Sequence, residues 1–77
     1  MANSLGVASV VAALPPYCVV IQYRGRERSY IRCHKLYQVR KEVVAHRKHP
    51  AVKFIYYTAP DIEFIEAYDA RDPGRYV

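Results

Sequence analysis

The chain is poor in the features that mark common chemistries. Its three glycines form no phosphate loop, no dinucleotide fingerprint and no G-x-S-x-G elbow. Two cysteines, Cys18 and Cys33, stand without a C-x2-C spacing, so a zinc ribbon or finger is not indicated. Zinc would have to draw on His34, His46 and His49. However, His34 and His46 sit at opposite ends of an expected helix, roughly 18 Å apart at 1.5 Å per residue. The apolar stretch from Met1 to Leu14 lacks a positively charged start and is too short to span a bilayer, which argues against export and against a membrane partner. No internal repeat, low-complexity tract or linker divides the 77 residues, which read as one domain, 1–77, with a thin core. Nothing points to a small-molecule cofactor. Two cysteines in a basic chain with no export signal indicate reduced, buried thiols in a reducing, cytoplasmic setting.

What is present centres on 17–34. Tyr17-Cys18-Val19-Val20-Ile21-Gln22-Tyr23 is β-branched and aromatic, and Arg28-Ser29-Tyr30-Ile31-Arg32-Cys33-His34 alternates apolar with polar. The two predict a hairpin. Gly25-Arg26 fits a two-residue type II′ loop, which sets Arg24 opposite Glu27 and Cys18 opposite Cys33. On that register one face carries Cys18, Val20, Gln22, Ser29, Ile31 and Cys33 and points inward. The other gathers Tyr17, Val19, Ile21, Tyr23, Arg28, Tyr30, Arg32 and His34. A three-residue loop would flip one strand against the other.

Before the hairpin, residues 4–13 read as a short helix or strand ended by Pro15-Pro16. After it, residues 35–49 form the clearest helix, with Leu36, Val39 and Val43 on one stripe, and Pro50 closes it. Arg40 and Arg47 fall inside the apolar arc two turns apart. They either snorkel to the edge of the sheet or present paired guanidiniums to a ligand or partner. Residues 51–58 predict a third strand, with Val52, Phe54 and Tyr56 on one face and Lys53, Ile55 and Tyr57 on the other. A β–α–β crossover would lay it parallel to one of the hairpin strands. For residues 61–70, a helix capped from Thr58 and Asp61 competes with a fourth strand. The expected class is α+β with a ββαβ core.

Charge is unevenly placed. The first 23 residues carry no charged side chain, residues 24–53 hold ten Lys or Arg against Glu27 and Glu42, and the remainder holds five acids against Arg71 and Arg75. A basic middle attracts polyanions, and acids folded back on it would weaken that attraction. Eight tyrosines suit an interface as well as ordinary packing.

The first functional reading is a small non-enzymatic protein that docks on a larger protein or complex, as phage and mobile-element inhibitors of nucleic-acid-handling machines do. The alternative is an RNA- or DNA-binding module. Both use the Tyr/Arg surface, with Tyr23, Arg28, Tyr30, Arg32, His34, Arg40 and Arg47 as binding residues, and the partner is correspondingly a protein or a nucleic acid. Aromatic rings beside cations on an open sheet stack bases and hold phosphates. Against this, Val19 and Ile21 on the same face can instead pack beneath another element. The third reading is a metal-independent ribonuclease in which His34 works with Arg28, Tyr30 and Arg32 around one phosphate. No paired carboxylates or other catalytic set stands out.

Overall fold

Four apolar residues in a row, Cys18 to Ile21, cannot alternate in and out of water, so this strand is covered on both sides by its neighbours. The computed structural model, which describes residues 15–25 and 27–76, places it accordingly. Strand β1 (Tyr17–Tyr23) is interior to a four-stranded sheet of order β2-β1-β3-β4, flanked by β2 (Ser29–Cys33) and β3 (Val52–Ala59). Helix α1 (Leu36–His46) connects β2 to β3, β4 (Ile62–Asp69) forms the far edge, and a 3-10 turn (Pro73–Tyr76) follows. This is the expected α+β class. The expected helix or strand over 4–13 lies outside the described residues.

The hairpin register differs from the expectation by one residue. Tyr17 pairs with Cys33, Cys18 with Arg32, Val19 with Ile31 and Ile21 with Ser29. Cys18 and Cys33 are therefore on opposite faces, and both are free, buried thiols. Two forces outweigh the two-residue turn. The Arg24 N–H is committed to the Ala51 carbonyl at 2.8 Å, which draws β1 toward β3 instead of closing it on Glu27. The observed register also puts Val19, Ile21, Ile31 and Cys33 on a single face. Gly25 remains at the bend, with φ +63°, a conformation that only glycine adopts without cost.

That face is the core side. Val19, Ile21 and Ile55 are fully buried there beneath Val39 and Val43 of α1, with Cys33 and Val52 completing the cluster and Tyr17, Tyr23, Tyr57 and Tyr68 packed around it. The alternative weighed for Val19 and Ile21, packing beneath another element, is the one observed. Arg28 and Arg32, expected beside them, belong to the other face, because leaving them with Val19 and Ile21 would place charges under the helix.

Helix α1 is capped at Lys35, where the Gln38 carboxamide oxygen accepts the N–H groups of His34 at 2.8 Å and Lys35 at 3.0 Å. This satisfies donors that a helix start leaves free. It ends at His46, shorter than the expected 35–49, and the Arg47 N–H bonds back to the Val43 carbonyl.

Strand β3 runs in the direction of β2 but pairs with neither hairpin strand in parallel. It lies antiparallel to β1, so the crossover passes over β1. Its register shifts between Gln22 and Tyr23: Gln22 faces Phe54 and Tyr23 faces Val52, leaving Lys53 as the extra residue. This bulge is why Val52 is buried with Ile55 instead of sharing a face with Phe54 and Tyr56. Residues 61–70 resolve as strand, paired antiparallel to β3 with Ala59 opposite Ile62. Because neither Pro60 nor Asp61 takes positive φ, the turn is not of the primed kind whose twist matches a hairpin. The register shifts between Tyr57 and Ala59, next to the turn, and again between Ile55 and Tyr56.

Candidate nucleic-acid interface

Reading across the sheet from the register, the face opposite α1 carries three rows. Arg32, Cys18 and Thr58 form one, Tyr30, Val20 and Tyr56 the next, and Arg28, Gln22 and Phe54 the third. Phe64 on β4 completes an aromatic cluster with two of these. Its ring stacks on Tyr56 with centroids 4.6 Å apart and on Phe54 at 5.7 Å. Phe64 is half exposed and Tyr30 is 64% exposed, so ring faces meet solvent. Cys18 and Val20 are buried between them. Tyr30 and Tyr56 stand two strand spacings apart, roughly 10 Å.

One of the two cations on this face is held in place. Arg28 donates Nε–H to the Gln22 Oε1 at 2.7 Å, directly across the hairpin. Arg28, just before β2, and Arg32 within it are exposed, about 13 Å apart at 3.3 Å per residue. Their charge is a device for an edge strand as well, because it discourages pairing with another chain.

The acids that follow residue 54 do not fold back over them. Asp61, Glu63, Glu66 and Asp69 lie on or beside β4, the edge opposite β2. Three strand spacings, about 14 Å, separate the two edges, which exceeds the screening length of about 8 Å in physiological salt. Two of the acids also bind their own arginines. Arg71 forks onto Asp69 through Nε at 3.1 Å and Nη2 at 2.8 Å, and Arg75 lies 3.5 Å from Glu66. The Arg71 hydrogen bonds, from side chain and then backbone, hold the Asp69 carboxyl at about 2, below its ordinary 3.8.

The expected binding residues therefore separate into three places. Arg28, Tyr30 and Arg32 share the helix-free face. Tyr23 is on the core side, edge-on to the His49 ring at 5.6 Å. His34 lies beyond the end of β2. Its six-residue separation from Arg28 spans about 20 Å of extended chain, so those two cannot grip one phosphate as the ribonuclease reading requires. Arg40 and Arg47 line a shallow apolar groove between α1 and β4 together with Leu36, Val43, Val44 and Tyr57. The sequence reading missed Phe54, Tyr56 and Phe64 as surface residues. The alternation Phe54-x-Tyr56 carried the signal, but Phe64 joins them only if residues 61–70 are strand.

His46 and His49 serve the helix end. His46 Nδ1 donates to the Glu42 carbonyl at 2.8 Å, and His49 Nδ1 accepts the Ala51 N–H at 3.0 Å. Among the described residues no three His, Cys, Asp or Glu side chains converge as metal ligands, and no helix is long and apolar enough to cross a membrane. Burial pushes the Cys33 thiol above its ordinary value, and the Glu42 carboxylate and Cys18 add to the shift, which leaves it a poor nucleophile.

Comparison with protein families, curated proteins and solved structures yields no match. Function rests on the geometry alone.

Proposed function

We propose that this chain is a non-enzymatic nucleic-acid-binding module whose contact surface is the helix-free face of the sheet. One observation carries the reading: Arg28, Tyr30 and Arg32 share a face with the Phe54–Tyr56–Phe64 stack and stand across the sheet from the acids of β4. Of those acids, Asp69 and Glu66 pair with Phe54 and Tyr56 and are bound by Arg71 and Arg75. Exposed ring faces take bases, and cations at the margin neutralise phosphates. The formal charge of +5 favours encounter with a polyanion.

The test is fluorescence anisotropy of labelled single-stranded RNA and DNA across a salt series. Affinity should fall steeply with salt, and Arg32→Ala should weaken binding while lowering the slope by about one half to one. Undetectable or salt-independent binding removes the reading.

A second reading, docking on a protein as an inhibitor of a nucleic-acid-handling machine, is favoured by one feature. The α1–β4 groove joins apolar Leu36, Val43 and Val44 to the guanidiniums of Arg40 and Arg47, with Glu66 on its β4 side, a match for an amphipathic helix whose acids meet the α1 side. Stoichiometric recovery of one protein from nuclease-treated lysate, lost in Arg40→Glu, would support it.

A further inference from the structure

At the hairpin end of the sheet a cleft of about 750 Å³ opens between the Gly25 bend and the start of β3, bordered by Gln22, Arg24, Glu27, Lys53 and Arg71. A smaller hollow of about 290 Å³ shares Gln22, Lys53 and Arg71 with it and reaches Phe54, the ring nearest this end of the aromatic strip. We infer that this cleft holds a phosphate of a single-stranded nucleic acid whose bases lie on Phe54, Tyr56 and Phe64. This rests on the sheet-face reading above and adds a strand path and a ligand class to it.

Three features carry the inference. First, Lys53 reaches the cleft because of a local irregularity. Regular alternation would turn it toward the core side with Ile55, whereas the bulge gives that place to Val52 and leaves Lys53 exposed. Bulges next to binding sites re-aim side chains in this way. Second, the backbone that presents the two cations is fixed on both sides. The Arg24 N–H bonds the Ala51 carbonyl at 2.8 Å, and the Ala70 N–H bonds the Lys53 carbonyl at 3.0 Å. Third, the local charge is positive. Arg24, Lys53 and Arg71 line the cleft and its adjoining hollow against Glu27 and Asp69, and Asp69 is bound by Arg71.

The ligand is single-stranded because of how the rings are reached. Phe54 and Tyr56 are set in interior strand β3 and only partly exposed. Their faces can be covered only by bases that have left a duplex stack. A strand running along the strip leaves the sheet past Phe54, and its backbone there meets Lys53 and Arg24. The phosphate is either an internal diester or a 5′ end, and both offer the same anionic oxygens.

The experiment is anisotropy of a 3′-fluorescein thymidine octamer, with and without a 5′ phosphate, and of its duplex, from 50 to 200 mM salt. It compares the native chain, the double variant Arg24→Ala/Lys53→Ala, and Phe64→Ala. Both cleft residues are exposed, so the double variant should fold, and a thermal melt checks this. The double variant should lose about tenfold in affinity and lower the salt slope by about 0.7, the value for one single-strand phosphate. An equal loss with either octamer assigns an internal diester. A loss larger for the phosphorylated octamer assigns the 5′ end. Native affinity and slope in the double variant, while Phe64→Ala still weakens binding, would overturn the cleft and leave the sheet-face reading intact. Equal affinity for duplex and single strand overturns the ligand class. No binding by the native chain removes both.

Discussion

Phe64→Ala separates the role of the aromatic strip from that of the fold. Phe64 is 50% exposed. Full burial of such a ring contributes about 1.5–3 kcal/mol, so the half that is covered accounts for about 1 kcal/mol. Its contacts with Tyr56 at 4.6 Å and Phe54 at 5.7 Å add about 0.5–1.5 kcal/mol beyond area. The variant should therefore lose about 1.5–2.5 kcal/mol, against a total near 4–12 kcal/mol for a domain of this size, and remain folded. Binding should suffer more. A base loses one platform, about 1–3 kcal/mol, which is about 5- to 150-fold in Kd. Urea unfolding reads the first quantity and anisotropy of a single-stranded oligonucleotide the second. Phe64→Tyr keeps the ring face and should restore binding. A folded Phe64→Ala protein with the native Kd would refute the stacking role. A loss of affinity only in proportion to a lost fold would do the same.

Further outcomes follow from the core and the turns. Ile55 has no exposed surface and sits beneath Val39 and Val43, so Ile55→Ala should cost about 2–5 kcal/mol by urea denaturation. Gly25→Ala meets no atom within 4 Å, yet φ is +63°; the expected loss of about 1–2 kcal/mol is purely conformational, and Gly25→Asn should recover part of it. Asp69 titrates at about 2 in the folded chain against an ordinary 3.8. Its folded value is the lower one, so its contribution is complete above about pH 4 and is lost as pH falls toward 2. Asp69→Asn should flatten the stability curve within that acid window and leave the slope between pH 6 and 8 unchanged, which an unfolding series in buffered urea would show.

Much of this architecture follows from the order of residues. The β-branched run 17–23, the stripe of Leu36, Val39 and Val43 before Pro50, and the alternating run after it carry their elements locally, because periodicity and proline act within a few residues. Which residues share a face does not follow in that way. The turn residues at Gly25 favoured one register, and burying Val19, Ile21, Ile31 and Cys33 together favoured the register one step away. The bond from Arg24 to Ala51, contributed by a strand that comes much later in the chain, tipped the balance. Residues 61–70 gained their strand identity from pairing with β3, since their own pattern served a helix equally well. The surface for which function is proposed is a product of those long-range pairings. A slip of one residue inverts a strand, so only the assembled sheet could bring Arg28, Tyr30 and Arg32 beside Phe54, Tyr56 and Phe64 and turn Tyr17, Val19, Ile21 and Tyr23 toward the helix.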